Sequence, residues 1–197
     1  GAVYNTYLSS FKNEDGSVNW LPVCADAHGF LVNRGLFAKY GIPLPTDYDS
    51  FVSACQAFAK HGIRGFDADY TYDYTCMETL QGLSVSELSS AEGRKWRAAY
   101  SDPANTEKVG LDDTVWPTAF KNFEQFIRDT GLNAADLTLN YDDIMDRMRG
   151  GELAMCFGSS AGVKILQDEG IDTTFLPFFG QDGQQWLMTK DRKSTSL

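Results

Sequence analysis

The sequence predicts a layered α/β domain, a small sheet flanked by many helices. Short apolar runs bounded by glycine or turn residues, such as Leu153–Phe157 and Thr174–Phe179, have strand length. Between them lie longer segments with apolar residues at helical spacing. The clearest is Tyr48, Phe51, Val52, Cys55, Phe58 and Ala59, which fall on one helical face. Elements that alternate in this way bury their apolar faces against one another in layers. Only four or five strand-like runs occur, so the sheet is small.

In chain order, residues 1–19 read as polar and irregular, with a turn at Asn13-Glu14-Asp15-Gly16. Two extended segments follow, Leu21–Val23 and Gly29–Val32, broken at Ala25–His28. Asn33 is placed to cap a short helix through Lys39, and Gly41 to stop it. Thr46, with Asp49 three residues on, opens the next helix, which Gly62 ends. A strand over Ile63–Phe66 leads through a polar, aromatic stretch, Asp67–Tyr74, into a helix ending near Gly82. Ser84–Tyr100 is helical in part. A long helix spans Asp112–Thr130, with Trp116, Ala119, Phe120, Phe123, Phe126 and Ile127 inward and Pro117 in its first turns.

Asn140 caps a further helix that turns Ile144, Met145 and Met148 inward, and Gly150-Gly151 stops it. The strand Glu152–Phe157 then turns at Gly158-Ser159-Ser160 into a helix over Ala161–Gln167. Gln181-Asp182-Gly183 signals a hairpin between Thr174–Phe179 and Trp186–Met188. The domain is expected to span 20–190, with a polar tail over 191–197.

Composition excludes several functions. The chain has 197 residues, 43% hydrophobic and 13% aromatic, which is globular rather than disordered material. Seventeen basic residues against 27 acidic ones give a formal charge of −10. Phosphate binding needs clustered cations, and only the end of the chain (Lys190, Arg192, Lys193) offers any, so nucleic acid and anionic membrane are poor partners. No apolar run approaches the ~20 residues of a membrane span. Cys24, Cys55, Cys76 and Cys156 form no CxxC pair, and His28 and His61 are the two histidines, so a Cys/His zinc site is not expected and no cofactor is implied. The cysteines sit in apolar patterns and read as buried thiols, with a bridge open if the protein is secreted. The chain starts Gly1-Ala2 without Met, which fits a removed targeting segment or an internal piece.

Three motifs have chemistry to offer. Gly158-Ser159-Ser160-Ala161-Gly162 matches G-x-S-x-G after a strand and before a helix, the context of a nucleophile elbow. That chemistry needs a general base, and neither histidine lies beyond residue 61. The competing reading is a helix start whose free N–H groups face a cleft. Asp26 and His28 interrupt apolar extended segments, as polar groups in a cleft or as hydrogen-bonded loop residues would. Asp69-Tyr70-Thr71-Tyr72-Asp73-Tyr74 combines aromatic faces with carboxylates, which suits sugar rings and their paired hydroxyls. It equally suits an acidic helix start with tyrosines packed on the core. Asp112-Asp113 and Asp142-Asp143 read as acidic first turns.

The order of segments carries a resemblance. Asn33-Arg34-Gly35-Leu36-Phe37-Ala38-Lys39-Tyr40-Gly41-Ile42-Pro43, continuing to Phe51, resembles a stretch of the bacterial extracellular solute-binding proteins of ABC importers. Pro22–Asn33 resembles that family's crossing strands. Gly150-Gly151-Glu152-Leu153-Ala154-Met155-Cys156-Phe157-Gly158-Ser159 resembles its strand and turn around A-M. The set covers roughly Trp20 to Lys190 and is similar to the sugar-binding branch that includes maltose-binding protein. It implies one lobe of a periplasmic-binding-protein type II fold, with a small mixed sheet. Members are about twice this length, so the stretch corresponds mainly to the second of two lobes.

The resemblance further implies non-catalytic capture of a sugar in a cleft, permease subunits as partners, and an extracellular, cell-surface or periplasmic location, lipoproteins included. It places sugar contacts at Asp26 and His28, at Asp69, Tyr70 and Tyr72, and at Ser159 and Ser160. Maltose binders carry a Trp where this chain has Ala161, so a stacking platform is expected elsewhere, at the Tyr cluster or Trp186. The rival readings are a glycoside hydrolase or esterase domain, and a surface sensor that reuses the fold.

Overall fold

A computed structural model describes residues 12–13, 15–18, 22–105 and 109–193. The expectations for residues 1–11, 14, 19–21 and 194–197 lie outside the described residues. The turn at Asn13 is closed by a bridge between Lys12 and Val18.

Strand β1 (Pro22–Asn33) is continuous through Ala25–His28, where a break was expected. It is held on both sides. Its second half pairs antiparallel with β3 (Leu153–Ser159) and with β4 (Thr173–Leu176), and its first half with β7 (Met188–Lys193). These ladders satisfy the backbone through Asp26 and His28, so polar side chains there do not interrupt the strand. β2 (Arg64–Asp67) adds parallel to β3, giving the order β2-β3-β1-β4 with β7 on β1. β7 takes in Asp191–Lys193, the first residues of the expected tail. Pro177 separates β4 from β5 (Phe178–Phe179), which forms a small hairpin with β6 (Gln185–Trp186). The single strand expected over Thr174–Phe179 is therefore two.

Eight α-helices flank the strands among the described residues. Asn33 accepts from Leu36 N–H and starts α1 (Arg34–Tyr40), and Gly41, at φ 65°, stops it. Asp47, not Thr46, caps α2 (Tyr48–Ala59), in a capping box with Ser50. α3 (Asp73–Leu83), α4 (Val85–Ser89) and α5 (Ala91–Ser101) follow. α6 (Trp116–Thr130) begins four residues later than expected, with Pro117 in its first turn. α7 (Tyr141–Gly150) carries the Asn140 cap and ends at Gly151 in the left-handed region. α8 (Ser160–Asp168) leaves β3 directly.

Alternation along β1 divides the core. Phe30 and Val32 join the larger cluster with Phe37, Phe51, Phe58, Phe66 and Phe126 from α1, α2, β2 and α6. Leu31 points the other way, onto Ile144, Met145 and Met148 of α7 and Leu166 of α8. The Phe30 ring stacks on Phe51 at 5.0 Å and meets Phe66 edge-on at 5.3 Å. A third cluster, Leu80, Trp116 and Ala119, sits where α3 meets α6. Phe120, expected inward, is 44% exposed, with its ring 5.6 Å from that of buried Trp116. Cys55 and Cys156 are buried free thiols, and Cys76 is free but only half-buried because it sits on the open side of α3.

Candidate ligand-binding site at the strand ends

β2 and β3 run parallel, so their carboxyl ends open on the same edge of the sheet. In open α/β sheets that edge is where ligands bind. β2 delivers the loop carrying Asp69, Tyr70 and Tyr72, and β3 delivers Ser159 and the start of α8. β1 runs antiparallel beside β3, with His28 opposite Ser159. Asp26 lies two residues back along the same strand.

The residues named from the sequence separate into groups. Asp26 is buried, and its Oδ1 accepts from Ser160 Oγ at 2.6 Å. The same serine oxygen accepts from Ala27 N–H at 3.2 Å. The hydroxyl of the G-x-S-x-G motif is thus engaged by a carboxylate and a backbone amide. Its glycines serve packing: a Cβ on Gly158 or Gly162 would stand 2.6 or 2.7 Å from Leu31 Cδ1. They let α8 approach β1 closely. His28 Nδ1 lies 2.9 Å from Glu78 Oε2 on α3, and its ring is 5.8 Å from Phe157. Glu78 is itself buried.

Asp69 and Ser159 line one cavity of about 240 Å³, together with Tyr141, Phe157, Gly158 and Ala161. Asp69 is buried and accepts from Thr75 Oγ1 at 2.9 Å. Burial pushes its carboxyl above the ordinary value, and the threonine bond partly offsets this. The Ser159 side chain makes no capping bond to α8. Tyr72 is 43% exposed, with its ring 5.4 Å from that of exposed Tyr74. Tyr70 goes elsewhere: its ring packs against the main phenylalanine core, and burial pushes its phenol up.

Sequence reasoning missed Tyr141, Thr75 and Glu78. Tyr141 follows the Asn140 cap and read as part of an acidic helix start. Glu78 is an acid on a buried helix face, and no sequence spacing ties it to His28, fifty residues earlier. Trp186, considered as a substitute platform, donates through Nε1 to Ser86 Oγ at 2.7 Å and does not line this cavity. Among the described residues no group of three or more His, Cys, Asp or Glu side chains could hold a metal ion. No described helix is long and apolar enough to cross a membrane.

No protein-family model matches the sequence, and no curated protein matches it. Solved structures do. A sugar transporter from Bacillus licheniformis in complex with stachyose aligns with 95% of this chain and 50% of its own, at 16% identity and a TM-score of 0.69. A chitin oligosaccharide binding protein covers 94% of this chain and 46% of its own, at 17% identity and 0.70. A probable secreted solute-binding lipoprotein from Streptomyces coelicolor covers 95% and 47%, at 14% identity and 0.75. The chain spans about half the length of each. Its mixed α/β architecture is the fold of about half of each of these solute-binding proteins.

Proposed function

We propose that the chain forms one lobe of an extracellular solute-binding protein that captures a neutral carbohydrate and presents it to ABC-importer permease subunits. The carrying observation is the meeting of Asp69, Ser159 and Tyr141 around one cavity at the carboxyl ends of parallel strands. Carboxylates accept paired hydroxyls, a serine hydroxyl donates or accepts, and a tyrosine face covers the C–H surface of a pyranose. Tyr141 takes over the stacking role that Trp plays in maltose binders, since it lines the same cavity as Ala161. Asp26, Ser160 and His28 brace the adjacent strand end, and Tyr72 with Tyr74 extends the aromatic surface outward. The stachyose and chitin-oligosaccharide ligands named for the similar structures support this ligand class. Export, with or without a lipid anchor, follows from the same reading.

The test is a nuclear magnetic resonance titration of the chain with a panel of neutral mono- and oligosaccharides. A single lobe offers one wall of a cleft, so binding in the millimolar range, about −4 kcal/mol, is expected. Amide signals of Asp69, Ser159 and Tyr141 should shift with at least one sugar. No shift at these residues with any sugar would overturn the reading.

A further inference from the structure

A second concavity lies away from the strand ends, between α3, α4, α5 and α6. It encloses about 630 Å³, within the usual size range of small-molecule sites. It shares no lining residue with the cavity at the strand ends. Leu80, Leu88, Trp116 and Phe120 give it apolar surface. α5 turns one helical face to it, Trp96, Arg97, Tyr100 and Ser101, at i, i+1, i+4 and i+5. Trp96 stacks on Tyr100 at 5.0 Å with an interplanar angle of 10°, and its Nε1–H donates to Gly110 C=O at 2.9 Å, which fixes the ring. Tyr100 is 50% exposed, so the stacked pair offers open ring surface. Gln81 of α3 and Ser89 of α4 add neutral polar groups.

Arg97 is the one charged side chain among the described residues that line the groove. Elsewhere Arg34, Arg64, Arg128, Arg147 and Arg149 each have a carboxylate at 3.5 Å or less. Among the described residues Arg97 has none. Its own helix supplies none, because the positions one turn away are Gly93, Arg94, Tyr100 and Ser101. Arg94 adds a second positive charge on the same helix. In a chain of formal charge −10 this is a local positive site beside aromatic surface. A guanidinium takes a carboxylate through two parallel hydrogen bonds. A ring on the same ligand gains contact with the Trp96 and Tyr100 faces. The two features together select a ligand that carries both groups.

We propose that the groove between α3 and α5 binds a planar aromatic carboxylate, with its ring against Trp96 and Tyr100 and its carboxylate on the Arg97 guanidinium. The site goes beyond carbohydrate capture and stands independently of it.

The probes are 2-naphthoate and 2-naphthylmethanol, which share a ring pair and differ in charge. In the ¹⁵N-labelled chain, 2-naphthoate should move the Trp96 indole signal, which Trp96→Phe identifies by its loss. It should bind about fivefold more tightly than the alcohol, a modest preference because Arg97 is exposed to solvent. Arg97→Gln should erase that preference while the alcohol binds as before. The wild-type titration stands even if either variant folds poorly. A Trp96 signal unmoved by 2-naphthoate, equal affinity of the wild type for the two probes, a preference that survives in Arg97→Gln, or D-glucuronate binding as tightly as 2-naphthoate would each overturn the proposal.

Discussion

Ser160 Oγ donates to Asp26 Oδ1 at 2.6 Å, joining the first residue of α8 to the middle of β1 across 134 positions of sequence. The contact is short for a hydroxyl–carboxyl hydrogen bond. It fixes where α8 begins relative to the strand ends, and with it the position of Ser159 at the cavity. Ser160→Ala should destabilise the fold by about 1–3 kcal/mol, because Asp26 is left buried with one donor fewer. Asp26→Asn keeps an acceptor for Ser160 Oγ, so the chain should remain folded and sugar binding should weaken only severalfold, through the placement of Ser159. Thermal denaturation and the sugar titration check both, and a variant that binds as the wild type does would remove Asp26 from the site.

Tyr70 and Tyr72 lie two residues apart and should behave oppositely. Tyr70 packs on the phenylalanine core, so Tyr70→Ala should cost about 3 kcal/mol of stability in urea unfolding. Any loss of binding would follow from unfolding. Tyr72 is largely exposed, so Tyr72→Ala should change stability by less than about 0.5 kcal/mol. If the exposed ring stacks on ligand, the same variant should weaken sugar binding severalfold. Equal stability losses in the two variants would contradict the placement of the rings.

This pair shows what the sequence could convey. Six residues with three tyrosines and two aspartates marked the loop as a candidate, and the loop does end at the cavity. Which tyrosine faces ligand depends on how the chain leaves β2, and no spacing rule encodes that. The helix caps at Asn33 and Asn140 were legible because each is set by contacts within three residues. The cap at Asp47 was misplaced by one residue because Thr46 and Asp47 both suit it, and only the Ser50 partner decides. The continuity of β1 was hidden because pairing with three partners outweighs the polarity of Asp26 and His28. Tyr141 was hidden because its role depends on α7 and α8 meeting over the end of β3.

Asp67 is fully buried at the end of β2, and burial raises its carboxyl from 3.8 to about 6. The Ala68 N–H opposes this shift, as do Arg64 at 3.8 Å and Arg147 at 3.5 Å, while the Asp136 charge adds to it. A carboxyl with a raised folded-state pKa holds its proton more tightly in the folded chain than in the unfolded one. Its contribution to stability is therefore fullest below about pH 4 and declines as pH rises to about 6. The decline amounts to about 3 kcal/mol. Asp47 and Asp172, held low by their partners, act in the opposite direction. The informative quantity is thus the difference between the wild type and Asp67→Asn across pH 4–7. The variant should lack the decline, and parallel pH profiles would show that Asp67 does not titrate in this window.

Gly65 allows β2 to lie directly against α2. A Cβ there would sit 2.4 Å from Cys55 Cα and 2.8 Å from Cys55 Cβ. Because the first obstacle is backbone, the helix itself must move to admit a methyl group. Gly65→Ala should therefore destabilise by about 2–3 kcal/mol in urea unfolding. Trimming the facing side chain should not rescue it: Cys55→Ala removes Sγ but leaves Cα and Cβ where they are. Gly162 provides the contrast. Its nearest obstacle is Leu31 Cδ1, the far end of a flexible side chain, so Gly162→Ala should cost under about 1 kcal/mol, with Leu31 changing rotamer. A Gly65→Ala loss recovered in the Cys55→Ala background would mean that the two elements are held apart by the thiol rather than by main chain.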